Sequence, residues 1–335
     1  MLLLVAACGS GGPAPQGARA TAGVAVPDVM RGIAPIRWRD GIDGSLFALN
    51  TPCEPISACR FVEMEHQEVE RLVGAKCPDL PECPEALLRA VAVNLNVAFV
   101  ERWYLREAEE AAQPRESGLD AVALAAFLQA GEEHREQMVV AVDHAVELGE
   151  RLVQLFPDGR DDGAGRYFLA DALARQIGLM ADLDARAEGV GRLVEVCDEI
   201  VSRGSIFTAF AHALLAEHSL WESRDPSAAL AYAEAGLRPY RDLGDDFVSD
   251  IESRSLLEYH RGCALLWLGR RSESEEAFRA ALAGSVAHYF PPDGFNEAAR
   301  HALEVVLDDL AVEPRAGRLK GQPVDRWARG ANTGR

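Results

Sequence analysis

Four cysteines carry the clearest chemical signal in this sequence: Cys53 with Cys59 and Cys77 with Cys83, five residues intervening in each pair. Thiols at that density hold a metal or pair with one another. Structural zinc sites normally place two to four residues between paired ligands, so the spacing favours disulfides over zinc, with unpaired structural cysteines as the third reading. The stretch 61–75 between the pairs, FVEMEHQEVERLVGA, has helical periodicity. At about 1.5 Å per residue that helix holds Cys59 and Cys77 roughly 20 Å apart, beyond the reach of a disulfide. It also disfavours Cys59 with Cys83, leaving Cys53–Cys59 and Cys77–Cys83 as the expected bridges, one at each end of the helix. Such bridges persist in an oxidising compartment. Cys197 and Cys263 fall within apolar helical stretches, where cysteine acts as a small buried hydrophobe, and both are expected to be free.

Catalytic patterns are missing. None of the eight histidines forms HExxH or another paired zinc spacing. Glu63 to His66 makes a single Glu-x-x-His, whereas di-iron bundles need two plus further glutamates. Glu132, Glu133, His134, Glu136, Asp143 and His144 form an acidic patch that could attract a cation, though solvated helix faces ordinarily look like this. His212 and His218 are six apart and do not share a helical face. No G-x-S-x-G, P-loop or G-x-G-x-x-G occurs. The sequence therefore predicts no catalytic residue, no metal site and no cofactor; an envelope enzyme using the acidic helix is the lesser alternative.

Aromatic residues are the better candidates for binding. Trp221, Tyr232, Tyr240, Tyr259, Trp267 and Phe278 cluster in the C-terminal half, and Trp103 and Tyr104 lie earlier. Most fit a core. Trp221, Tyr232, Tyr259 and Trp267 are the expected surface for a protein partner or a small apolar ligand.

The chain opens MLLLVAAC, and the stretch Val5 to Cys8 resembles a lipobox, in which small residues precede a cysteine that is lipidated and becomes the mature N-terminus. That resemblance implies a signal remnant over 1–7 and a lipid anchor on Cys8. Gly9, rather than Asp, after the cysteine implies transfer to the outer membrane, with the body facing the periplasm. The following stretch, 8–35, is rich in Gly, Ala and Pro and reads as a flexible tether too poor in large apolar residues to order itself. No long uninterrupted apolar run occurs elsewhere, so no transmembrane helix is expected.

These groups must be positioned by helices, since no alternating strand pattern of useful length appears and the fold class is all-α. Pro84 suits the first turn of a helix over 85–112, and Gln113-Pro114 breaks it. The next pattern, about 118–156, is one long helix or two joined near Gly131. Further helices are expected near 164–182, 185–203, 205–223, 226–242, 247–268, 272–284 and 294–311, linked briefly enough to make antiparallel neighbours.

The segment 257–282, LEYHRGCALLWLGRRSESEEAFRAAL, resembles one tetratricopeptide unit. Gly262 takes the close-packing position and Leu265 the large one, Gly269 ends the first helix, and Ser274, Phe278 and Ala281 line the second. The segment 213–237 fits the same frame through Leu220 and Ala229, with Ala233 in the aromatic position, and 167–201 makes another hairpin of similar length. Stacked antiparallel hairpins of this kind form a solenoid. A lipoprotein start followed by such pairs, with YFLADALARQIG at 167–178 and RDPSAALAYAEAGL at 224–237, resembles the T-component family of TRAP transporters. That resemblance implies a periplasmic role beside a solute-binding protein and brings no catalytic residues.

The expected organisation is thus a signal remnant (1–7), a tether (8–35), a cysteine-bearing helical segment (36–113), a tetratricopeptide-like domain (114–312) and a basic flexible tail (313–335). A formal net charge of −19 argues against a nucleic-acid partner. In the tail, Arg315, Arg318, Lys320, Arg326, Arg329 and Arg335 face only Glu313 and Asp325; it reads as a solvated tail, with contact to anionic lipid or a partner as the sharper alternative.

Overall fold

The computed structural model describes residues 25–33, 83–112, 121–157, 163–205, 207–243, 251–286 and 295–312, together with Gln67 and Arg71. Cys8, Cys53, Cys59, Cys77, the Glu63–His66 motif, the side chain of Trp103 and the basic tail lie outside the described residues. The described residues form helices and no strand.

A short 3-10 helix at Asp28–Gly32 comes first. It is followed by α1 (Cys83–Ala112), α2 (Ala121–Leu155), α3 (Ala164–Leu179), α4 (Leu183–Ser202), α5 (Thr208–Trp221), α6 (Pro226–Leu243), α7 (Ile251–Trp267), α8 (Arg271–Val286) and α9 (Phe295–Val312). The ends have local causes. The Asp182 carboxylate accepts from the Ala185 amide at 2.8 Å and starts α4. Asp225 accepts from the amides of Ser227 and Ala228, while Pro226 supplies a first helical position that needs no N–H. At the end of α7, Gly269 adopts a φ of 76°, and the Arg270 amide reaches back to the Leu265 carbonyl at 2.8 Å. That turn releases the chain directly into α8.

Helix α2 runs unbroken through Gly131. A glycine costs a helix interior about 1 kcal/mol relative to alanine, but pairing along α1 outweighs it, and the Gly131 backbone lies beside Leu105 and Ala108. Within α1, Cys83–Arg102 is long and apolar enough by length and composition to cross a membrane. Core helices meet the same description, and here Leu87 and Val91 are fully buried as α1 packs on α2 and α3.

Each helix packs on its neighbour in sequence, and a second pattern overlies the first. Helices α1 and α3, α3 and α5, α5 and α7, and α7 and α9 also touch. The odd-numbered helices therefore form a central spine. Two of its members bury nearly every side: α3 buries Gly165 to Ala174 without interruption, and α5 buries Ala209 to Ala216. The even-numbered α4 and α6 are one-sided instead, burying positions such as Leu193, Val196, Cys197 and Ile200 at helical spacing. One hydrophobic core runs along this spine from Met30 to Val306, and a smaller cluster of Ala98, Leu105, Met138, Ala141 and Val142 fills the far half of the α1–α2 pair.

The unit at 257–282 shows why its small residues matter. The Phe278 ring lies where a side chain on Gly262 would stand, and the Ser274 hydroxyl donates to the Gly262 carbonyl at 2.8 Å. In the preceding hairpin Gly236 sits equally close to Leu257 and His212. Leu220, Ala229, Ala233, Leu265 and Ala281 are all fully buried.

Residues 25–33 overturn the expectation that all of 8–35 lacks order. The 3-10 turn places Met30 and Ile33 on one side and buries both, with packing against α7 and α9.

Candidate functional site

Two of the four expected surface aromatics are core residues. Tyr259 is fully buried, its ring tilted against Phe278 at 5.5 Å and Phe295 at 5.8 Å, and Trp267 is 7% exposed. The cause is the spine: α7 packs against α5, α6, α8, α9 and the 3-10 turn, which together cover Tyr259 and Trp267. Trp221 and Tyr232 are half-buried and pack on the core edge. Tyr232 stands 6.1 Å from the His212 ring, and its hydroxyl is made less acidic by burial, then by the negative charge of Asp198.

The same region holds polar atoms in dry surroundings. Neither ring nitrogen of His260 makes a hydrogen bond, nor do Nδ1 of His212 and Nε1 of Trp221 and Trp267. Burial holds His260 at a pKa of about 3; at His212 burial, and then the Arg238 charge, give about 4. Both stay neutral at ordinary pH. Arg166 is the opposite case, a buried cation fully answered: Nε donates to Glu199 and an Nη to the Pro157 carbonyl, each at 2.7 Å.

Among the described residues a concave feature lies between α1 and α2, a cleft of about 520 Å³. Asn94, Val97 and Glu101 come from α1 at helical spacing, Glu136, Gln137, Val140, Ala141 and His144 from α2, and Gln67 from the preceding segment. Glu101 is fixed by His134, whose Nδ1 lies 2.7 Å from its carboxylate, and the His134 ring stacks on Tyr104 at 5.1 Å. Asn94 is tied to the Ala90 carbonyl. Cleft walls carrying two carboxylates, amides and small apolar patches can bind a polar or cationic group; they pair no nucleophile with a base.

The acidic patch read from the sequence is divided by this arrangement. Glu132 pairs with Arg135, Glu133 accepts from Gln129, and Asp143 accepts from Gln176 of α3. His134 turns toward Glu101, while Glu136 and His144 face the cleft. Among the described residues no group of three or more His, Cys, Asp or Glu side chains is placed to hold a metal. Glu101 and Asn94 were not recognisable as site residues, because they acquire meaning only from the antiparallel register of α1 and α2.

Of the cysteines, Cys83 opens α1, is 2% exposed and is disulfide-bonded, its partner lying outside the described residues. Cys197 and Cys263 are free and buried.

No protein-family model matches the chain, and no curated protein matches it.

Proposed function

We propose that the chain is a binding or scaffold protein whose helices form a tetratricopeptide-like solenoid, held by lipid on Cys8 at the periplasmic side of the outer membrane. The observation that carries the binding reading is the spine of α1, α3, α5, α7 and α9, each touching the next. Stacked hairpins with alternating contact make long surfaces, which suit a protein partner or an apolar ligand better than a single reacting centre. The Gly262, Ser274 and Phe278 packing supports the tetratricopeptide likeness. Half-buried Trp221 and Tyr232 remain the aromatic candidates on that surface. The lipobox resemblance and the paired cysteines, read as Cys53–Cys59 and Cys77–Cys83, support the envelope address. We infer action by binding rather than catalysis. The test is fractionation of a native producer expressing the wild type or Cys8→Ser: the wild type should sediment with outer membrane and the variant should not. Equal distribution of both would remove the lipid anchor from the reading.

A further inference from the structure

The strap at residues 27–33 reaches the opposite end of the chain and rests between α7 and α9. Its fit is unusually simple. Met30 and Ile33 enter the core, while Asp28 and Arg31 stay in solvent and pair with each other at 2.8 Å. The turn satisfies itself: the Met30 amide donates to Pro27 and the Ile33 amide to Met30. On the receiving side, Gly32 passes His301 and Val305 of α9 with room for ordinary van der Waals contact. Side-chain insertion, rather than a backbone ladder, thus defines the fit, and methionine adapts readily to irregular gaps.

We propose that the trough between α7 and α9 is a peptide-docking surface occupied in cis by residues 27–33, and that it exchanges this strap for a partner segment of like chemistry. That partner is a polypeptide whose single tight turn presents two apolar side chains three residues apart, with charged side chains outward. The occupant seated there defines this pattern. The proposal deepens the binding reading and is independent of the lipid anchor.

The test uses the full chain carrying Met30→Asp and Ile33→Asp, with a fluorescent peptide of the 25–33 sequence read by anisotropy. The variant should bind it saturably, and the wild type at least about tenfold more weakly, equivalent to about 1.4 kcal/mol. A peptide carrying the same two aspartates should lose at least about tenfold as well. A folded variant that binds no peptide, or a wild type that binds equally well, overturns the proposal. Hydrogen exchange on the wild type is the second measurement and needs no variant to fold. The Met30 and Ile33 amides should exchange well before those of α7 and α9, and faster with excess peptide. Exchange only on global unfolding would overturn strap exchange while leaving the helical stack untouched.

Discussion

The Phe278 ring occupies the place of a Gly262 side chain: a Cβ there would lie 2.8 Å from both Cδ1 and Cε1. Alanine at a helix interior gains up to about 1 kcal/mol over glycine, while forcing a methyl group into a filled core costs about 1–3 kcal/mol. The displaced atoms belong to a buried ring with little freedom to move, so the packing cost wins. Gly262→Ala should destabilise the chain by about 1–2 kcal/mol. Gly191 on α4 is exposed and has nothing near its Cβ position, so Gly191→Ala should stabilise by about 0.5–1 kcal/mol. Urea melts of the two variants should move in opposite directions, and a shared direction would contradict the close-packing account of Gly262.

Acid should destabilise the stack through its neutral histidines. His260 and His212 have folded pKa values of about 3 and about 4, below the ordinary 6.5, because burial disfavours the cation. Between those values and 6.5 the unfolded chain binds more protons, so stability falls as pH is lowered through that window. Each histidine removes about 1.4 kcal/mol per pH unit at most, or on the order of 2 kcal/mol between pH 7 and 4.5. Urea midpoints at the two pH values should show a smaller acid loss for His260→Leu than for the wild type. An identical loss would place His260 outside the acid response.

Cys197 and Cys263 should be chemically silent in the native state. Burial pushes both thiols well above their usual range, and the thiolate is the reactive form. Iodoacetamide at pH 8 should add nothing at either residue until denaturant is present, and then modify both. Native labelling at Cys263 would show that α7 opens far more readily than its burial implies.

Much of the helical order was legible where the punctuation is strong: Gly269 ends its helix as read, and α6 begins at Pro226 where its pattern begins, whereas Asp182, read as the last residue of a helix, instead caps α4. What the sequence hid was which helices lie in the middle. The pattern of α5, TAFAHALLAEHSLW, offers two histidines as polar landmarks, yet His212 is buried with the apolar residues around it. Tyr259 and Trp267 were misplaced on a surface for the same reason, since a spine helix buries opposite faces against different neighbours. The cleft was illegible because Glu101 and His134 meet only through the register of two long helices. The strap escaped notice because composition over 8–35 averages away Met30 and Ile33, the two residues it buries.

The central claim, a lipid-anchored binding protein of the envelope, is tested most directly by the intact mass of the protein taken from native membranes, before and after reduction. The account predicts a mature species beginning at an acylated Cys8, gaining about four mass units on reduction as two disulfides open. A chain that begins upstream of Cys8, carries no lipid and gains nothing on reduction would contradict the envelope address and leave the helical stack to be explained in another compartment.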